Sequence, residues 1–163
     1  MKIIDLTLPM YTGMPVFPGD PEASIEVIQT IEKDGWEMRR LEINGHDGTH
    51  VNVPSHVVLG GKNLDDYEPD TFTGDAVLFE SENDIQKGIG VVFHDHYITR
   101  EIAEIIAERQ PKFIGLSSNF EFDADVEKFL LEKGVVSFER LANTEKLPKS
   151  FYFHGVPLRI QEG

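Results

Sequence analysis

The chain has 163 residues, no cysteine and a formal net charge of −14, from 29 acidic and 15 basic side chains. Without cysteine there are no disulfides, thiolate zinc sites or cysteine nucleophiles, so a metal would need imidazole or oxygen ligands. The acidic balance argues against nucleic acid as a partner, and no apolar stretch is long enough for a signal peptide or a transmembrane helix. We therefore expect one cytoplasmic domain over residues 1–163, acting on a small molecule without contacting a membrane.

The first half of the sequence predicts β-structure. Residues 2–6 form a short, mostly apolar run, and residues 9–21 contain four prolines and two glycines, which indicates a loop. Apolar and polar residues alternate in residues 23–31 and 37–44, which indicates two strands. Two more strands are predicted farther along, at residues 75–80 and 89–93.

The second half predicts helices that alternate with strands. Thr99 is a candidate N-cap for a helix that ends near Gln110, and Asp123 is one for a helix that ends at Gly134. Apolar residues recur at helical spacing in both segments. Short apolar runs predict three further strands, at residues 112–116, 135–138 and 151–160. The predicted fold class is therefore α/β (α+β), with a β-rich first half and an α/β second half.

Three of the six histidines lie within the eleven residues 46–56, His-Asp-Gly-Thr-His-Val-Asn-Val-Pro-Ser-His. Gly48 and Pro54 disfavour a helix here. In a flat strand the Cα atoms of His46 and His50 would be about 13 Å apart, which is a long reach for two rings that share an ion. A bend with positive φ at Gly48 would bring the rings together. The segment therefore predicts a kinked strand that holds a metal between two histidines.

Two more residues of this segment are candidates. Asn52 follows His50 by two residues, where a side-chain oxygen would complete a facial set of ligands. His56 suits general acid–base chemistry, because a free imidazole titrates near neutral pH. The alternative is a group of hydrogen-bonded loop histidines, but three histidines with glycine and proline at these positions favour a functional site.

Residues 46–56 also resemble the HxGTHxDxPxH signature of the cyclase family, which includes bacterial kynurenine formamidases. Similar pieces occur throughout the chain, at residues 5–7, 14–20, 113–116, 129–131, 137–143 and 157–160. The resemblance implies a swivelling β/β/α fold, a homo-oligomer (dimer or tetramer), and hydrolysis of a small amide, formamide or cyclic amide or ester by metal-activated water. The implied cofactor is one divalent ion rather than two, with zinc as the first choice and manganese or magnesium as alternatives.

The resemblance also implies roles for individual residues. His46 and His50 match metal ligands of the family, and Glu139 matches its metal-binding glutamate. His56 matches the catalytic acid/base. Phe17 stands where the family has an aromatic residue that lines the substrate pocket.

Two positions depart from the family pattern. Asn52 replaces a bridging aspartate, and Glu127 replaces the histidine of a second metal site. A carboxylate at position 127 would favour harder ions such as Mn²⁺ or Mg²⁺, and it could equally lie on the surface of its helix. These departures leave two alternatives: a non-catalytic metal- or small-ligand-binding protein on the same scaffold, and a metal-free hydrolase that uses His56 with Glu139.

The other three histidines are interpreted as structural residues. His94 and His96 lie two residues apart and could supply ligands, but a polar loop before the Thr99 helix is the preferred interpretation. His154 is expected to be a packed strand residue.

Overall fold

The computed structural model describes residues 2–162. Within that range there are eight strands in two sheets and three α-helices. The strands are β1 (Ser24–Gln29), β2 (Met38–Glu42), β3 (His50–Asn52), β4 (Thr73–Leu78), β5 (Gly90–Phe93), β6 (Ile114–Ser117), β7 (Ser137–Leu141) and β8 (Ser150–His154). The helices are α1 (Ile31–Asp34), α2 (Arg100–Arg109) and α3 (Ala124–Glu132). None of the helices in the described range is long and apolar enough to cross a membrane.

The larger sheet has six strands in the order β3-β7-β6-β5-β4-β8. Strands β4 to β7 run parallel, and β3 and β8 close the two edges antiparallel. Helices α2 and α3 link the central parallel strands and contact each other. Successive side chains of a strand face opposite sides of a sheet. Accordingly, Val91 and Phe93 pack with the residues of α2 and α3, whereas Val92 joins a second buried cluster that contains Phe113 and Phe138.

Both predicted helices and their caps are confirmed. The Thr99 hydroxyl accepts a hydrogen bond from the Ile102 amide, and the Asp123 carboxylate accepts bonds from the first turn of α3. Gln110 ends α2 in the left-handed conformation, with a φ of 50°. The helix limits were predictable because capping depends on residues adjacent in sequence.

Two predicted strand segments are wrong. Residues 2–6 form no strand; the Leu6 carbonyl instead accepts one hydrogen bond from the Ala142 amide, at 2.8 Å. The last strand ends at His154 instead of residue 160. Pro157 has no N–H to donate to a ladder, so the apolar pattern beyond residue 154 does not produce strand pairing.

The smaller sheet is a hairpin of β1 and β2. Its two strands make their main contacts with each other, and every residue of β2 is exposed. The hairpin lies just before the histidine-rich segment: the Asn44 amide donates to the buried carboxylate of Asp47, at 2.8 Å. This bond connects the end of the hairpin to the turn that carries His46.

Candidate metal centre

The pairing of β3 with β7 sets the positions of four side chains at the candidate site. His50 lies opposite Glu139, and Asn52 lies opposite Ser137, in the antiparallel pair of β3 and β7. Opposite residues and residues two apart share one face of a sheet, so these four side chains lie on the same face. Gly48 precedes β3 with a φ of 67°, which confirms the predicted bend.

The bend brings three imidazoles together. The ring of His46 lies 5.1 Å from that of His50, edge to face, and 4.2 Å from that of His56. The Nδ1 atom of His50 lies 3.0 Å from the Gly48 carbonyl oxygen. Donation from Nδ1 leaves the Nε2 lone pair of His50 available to a ligand.

Removal from water favours the neutral form of two of these rings, those of the half-buried His50 and of the more exposed His56. Burial, with a smaller contribution from the nearby His46, lowers the pKa of His50 to about 4, although the bond to Gly48 opposes both effects. Burial and His46 also lower the pKa of His56. Neutral imidazole is the form that coordinates a metal.

A carboxylate pair lies beside the imidazoles and is bridged by Asn52. The Nδ2 atom of Asn52 donates one hydrogen bond to Glu127, at 2.7 Å, and one to Glu139, at 2.5 Å. Burial and the neighbouring Glu127 raise the pKa of Glu139 well above its usual range. The negative charge of Glu127 raises the pKa of His50 and His56 and so opposes part of the effect of burial on them.

The other end of the Asn52 side chain has no partner. Asn52 is 3% exposed, and its Oδ1 atom accepts no hydrogen bond from any described residue. A buried amide oxygen without a partner is costly, so such an atom calls for a ligand or a water. In this arrangement the two glutamates accept both amide hydrogens, and the oxygen is the end of the carboxamide without a partner.

The His46 and His50 rings and this oxygen are the neutral donors from which a metal site would be built. Among residues 2–162, no group of three or more histidine, aspartate and glutamate side chains is arranged to hold an ion. Two imidazoles, from His46 and His50, and the Oδ1 atom of Asn52 nevertheless supply three neutral donors of the types that zinc and manganese accept. Glu127 and Glu139 direct their carboxylates at the Asn52 amide.

The candidate site residues are therefore distributed between one cluster and the surface. The structure brings His46, His50 and His56 together, and joins Asn52 to both glutamates. Phe17 lies in a turn of the N-terminal loop and is 69% exposed. The roles assigned to all these residues stay predictions.

Thr49, for which the sequence suggests a hydrogen bond that shapes the site, connects three segments of the chain. Its hydroxyl accepts a hydrogen bond from the Leu8 amide, at 2.9 Å, and donates one to the Arg140 carbonyl, at 2.7 Å. Arg140 has a φ of 56°, which is uncommon for a residue with a side chain. Thr49 thereby joins the backbone next to His50 to the backbone next to Glu139. A threonine beside a bending glycine was the only sequence signal for this role.

We expect Thr49→Val to lower the free energy of unfolding by about 1–3 kcal/mol, because it leaves the half-buried Leu8 amide and Arg140 carbonyl without this partner. Urea unfolding followed by circular dichroism measures the change. Thr30→Val is the matched control, because Thr30 is exposed and makes no capping bond. Equal stability of the two variants would contradict the role given to Thr49.

His94 belongs to a separate hydroxyl network. Its Nδ1 atom lies 2.9 Å from the Thr144 hydroxyl, which donates to Ser117 at 3.1 Å. Ser117 and Thr144 are both 1% exposed. His96 pairs with its neighbour Asp95 on the surface. These contacts agree with the structural interpretation of His94 and His96.

Comparison with known proteins agrees with the geometry. The family model described as "Putative cyclase" matches residues 4–138. A kynurenine formamidase of Bacillus cereus is 29% identical over 139 residues, covering 81% of this chain but only 64% of that protein, so the chain spans less than two thirds of its relative. An uncharacterized protein of Methanocaldococcus jannaschii is also 29% identical and covers 98% of this chain and 92% of its own length.

Solved structures share the fold. A structure described as a potential metal-dependent hydrolase with cyclase activity superposes with a TM-score of 0.78 at 24% identity, covering 99% of this chain and 92% of that chain. Isatin hydrolase A from Ralstonia solanacearum superposes with a TM-score of 0.77 at 17% identity, covering 98% and 87%. The predicted cyclase-like α/β fold is therefore confirmed. Because the family model matches most of the sequence, including the three histidines of the cluster, the chain belongs to the cyclase family.

Proposed function

We propose that this protein is a metal-dependent hydrolase that cleaves a small amide, formamide, or cyclic amide or ester. The observation that carries the proposal is the close approach of the His46 and His50 rings, together with the buried, unpartnered amide oxygen of Asn52, which lies two residues after His50 on the same face of β3. The names of the relatives support the substrate class, since kynurenine formamidase and isatin hydrolase both describe hydrolases of such bonds. One divalent ion per chain, zinc first and manganese or magnesium otherwise, matches three neutral donors.

In this proposal His46, His50 and the Oδ1 atom of Asn52 would hold the ion. When bound, a divalent ion lowers the pKa of water and polarises a substrate carbonyl. The bond from His50 to the Gly48 carbonyl fixes the ring orientation that presents Nε2. His56 takes a proton from the attacking water and returns it to the leaving nitrogen of an amide or the leaving oxygen of an ester, acting as general base and then as general acid.

Glu127 and Glu139 have a positioning role in this proposal. Both accept hydrogen bonds from the Asn52 amide, which turns its oxygen away from them. The amide hydrogens also neutralise part of the repulsion between the two carboxylates. A second cation would compete with the Asn52 amide for the same carboxylate oxygens, which supports one ion rather than two.

We expect Asn52→Asp to raise the metal content from one ion to two per chain. The substitution replaces an amide donor by a third carboxylate beside Glu127 and Glu139, and three adjacent carboxylates attract a cation. Elemental analysis after equilibrium dialysis against zinc or manganese measures the stoichiometry. Asn119→Asp is the control, because Asn119 is exposed on the surface. An unchanged stoichiometry in Asn52→Asp would contradict the blocking role of the amide.

The function itself is tested by elemental analysis combined with an assay panel. The panel contains N-formylkynurenine, isatin, and several small amides and lactones. We expect bound metal, turnover of at least one compound, loss of turnover on chelation and its recovery with the same metal. Bound metal without turnover on the whole panel would favour the non-catalytic binding protein. Turnover that persists in strong chelator would favour the metal-free hydrolase.

A further inference from the structure

Arg140 lies at a bulge in strand β7. Phe138 and Leu141 pair with residues of β6 that are only two positions apart, so β7 contains one extra residue between them. Arg140 has a φ of 56°, a left-handed conformation that is uncommon for residues other than glycine, asparagine and aspartate. Backbone of this kind costs free energy, and bulges often redirect a side chain beside a functional site.

The bulge turns Arg140 towards the face of the sheet that carries the candidate metal centre. Phe138 and Leu141 are three residues apart, yet both pack in the same buried cluster on one face. Neighbouring strand residues alternate between faces, so Glu139 and Arg140 together fill the single position on the opposite face. Glu139 lies there opposite His50 of strand β3. Arg140 is therefore on the face of His50, near the carboxyl end of a parallel strand, where α/β sheets usually bind ligands.

The guanidinium of Arg140 has no partner within the described chain. The side chain is half-buried, and among residues 2–162 no carboxylate forms an ion pair with it and no oxygen accepts a hydrogen bond from it. In a chain with 29 acidic and 15 basic side chains, an arginine that is partly removed from water and still lacks a carboxylate is unexpected. Burial is the main cause of the low pKa of His50, and the charge of Arg140 contributes in the same direction. The N–H donors of this guanidinium are free for a ligand.

We propose that Arg140 binds a carboxylate of the substrate, so that the preferred substrates carry a carboxylate in addition to the amide or ester bond that is cleaved. This inference rests on the proposed function and adds a substrate class to it. A guanidinium donates two parallel hydrogen bonds to a carboxylate, which orients the substrate as well as holding it. One cation balances one carboxylate, whereas a phosphate would bring a second negative charge close to Glu139.

Titration calorimetry with benzoate and benzamide tests the binding without turnover. The two compounds have nearly the same size and shape, and only benzoate is charged. We expect the wild-type protein to bind benzoate, and Arg140→Asn to weaken that binding by about tenfold or more, because charge-assisted hydrogen bonds are lost. Asparagine tolerates the left-handed backbone, so the variant should keep the wild-type circular dichroism spectrum. Benzoate that binds both proteins equally, or that does not bind the wild-type protein, would overturn the proposal.

Two further variants separate the shape of the guanidinium from its charge. Arg140→Lys keeps the charge but lacks the two-pronged geometry, so it should recover only part of the benzoate affinity. Arg159→Asn removes an exposed basic side chain outside the strands, and it should bind benzoate as the wild-type protein does. An equal loss of affinity in Arg159→Asn would show that net charge governs the binding, and it would overturn the assignment of Arg140.

Turnover tests the substrate class. The three isomers of formamidobenzoate are compared with the matching formamidobenzamides, by kcat/KM for the release of formate. We expect the wild-type protein to prefer at least one acid over its amide, and Arg140→Asn to lower that preference by about tenfold or more, mainly through KM. If neither series is cleaved although benzoate binding depends on Arg140, the proposed function fails and the carboxylate site stands. If both series are cleaved with the same preference in both proteins, the carboxylate site fails and the proposed function stands.

Discussion

Replacing His50 with alanine should weaken metal binding by more than about 100-fold and remove nearly all turnover. His50 is held by its bond to Gly48 and lies beside His46, so its loss leaves one imidazole and one amide oxygen. Two neutral donors bind a divalent ion too weakly to compete with water. Removing a residue that only hydrogen-bonds to a metal ligand already costs about 10–100-fold in affinity, so removing a ligand should cost more.

Elemental analysis and zinc titration calorimetry measure this loss directly, without an activity assay. His154→Ala is the matched control, because His154 ends β8 as predicted but is exposed and not packed as the sequence analysis expected. The control should keep the wild-type metal content. Full metal stoichiometry in His50→Ala would refute the assignment of His50 as a ligand.

Replacing His56 with alanine should reduce turnover but leave the metal bound. We expect kcat to fall by about 10²–10⁴-fold, the usual contribution of a positioned acid–base group, while the metal content stays at the wild-type value. His56 follows β3 in a short turn at Pro54–His56, and its ring lies 4.2 Å from that of His46. It is thus close enough to act at the ion without being one of the proposed donors.

The measurement combines kcat on the best substrate of the panel with metal analysis of the same sample. Loss of metal in parallel with turnover would contradict the acid–base role and make His56 a ligand. The comparison between His50→Ala and His56→Ala is therefore more informative than either variant alone.

The local parts of the fold were the most predictable from sequence. Thr99 and Asp123 cap helices because their side chains bond to amides two or three residues later. The bend at Gly48 followed from the reach of two imidazoles. The last strand was overextended past His154, since apolar residues at alternating positions do not reveal whether a pairing partner exists.

The candidate site was only partly predictable, because half of it depends on distant pairing. The histidines lie close in sequence, but Asn52 meets Glu127 and Glu139 across 75 and 87 residues. Family resemblance, and not residue pattern, suggested these glutamates. The orientation of the Asn52 carboxamide could not be predicted at all, because it is fixed by two acceptors from separate elements.

Strand β3 has only three residues and pairs with β7 alone, at the edge of the larger sheet. A short edge strand opens at a lower free energy than the centre of a sheet, so local unfolding of this protein should begin where the histidines are. An ion held by His50 and Asn52 would bind only the closed form, and its binding free energy would add to the stability of this edge. Metal supply would then determine how long the protein survives proteolysis, in addition to whether it can act.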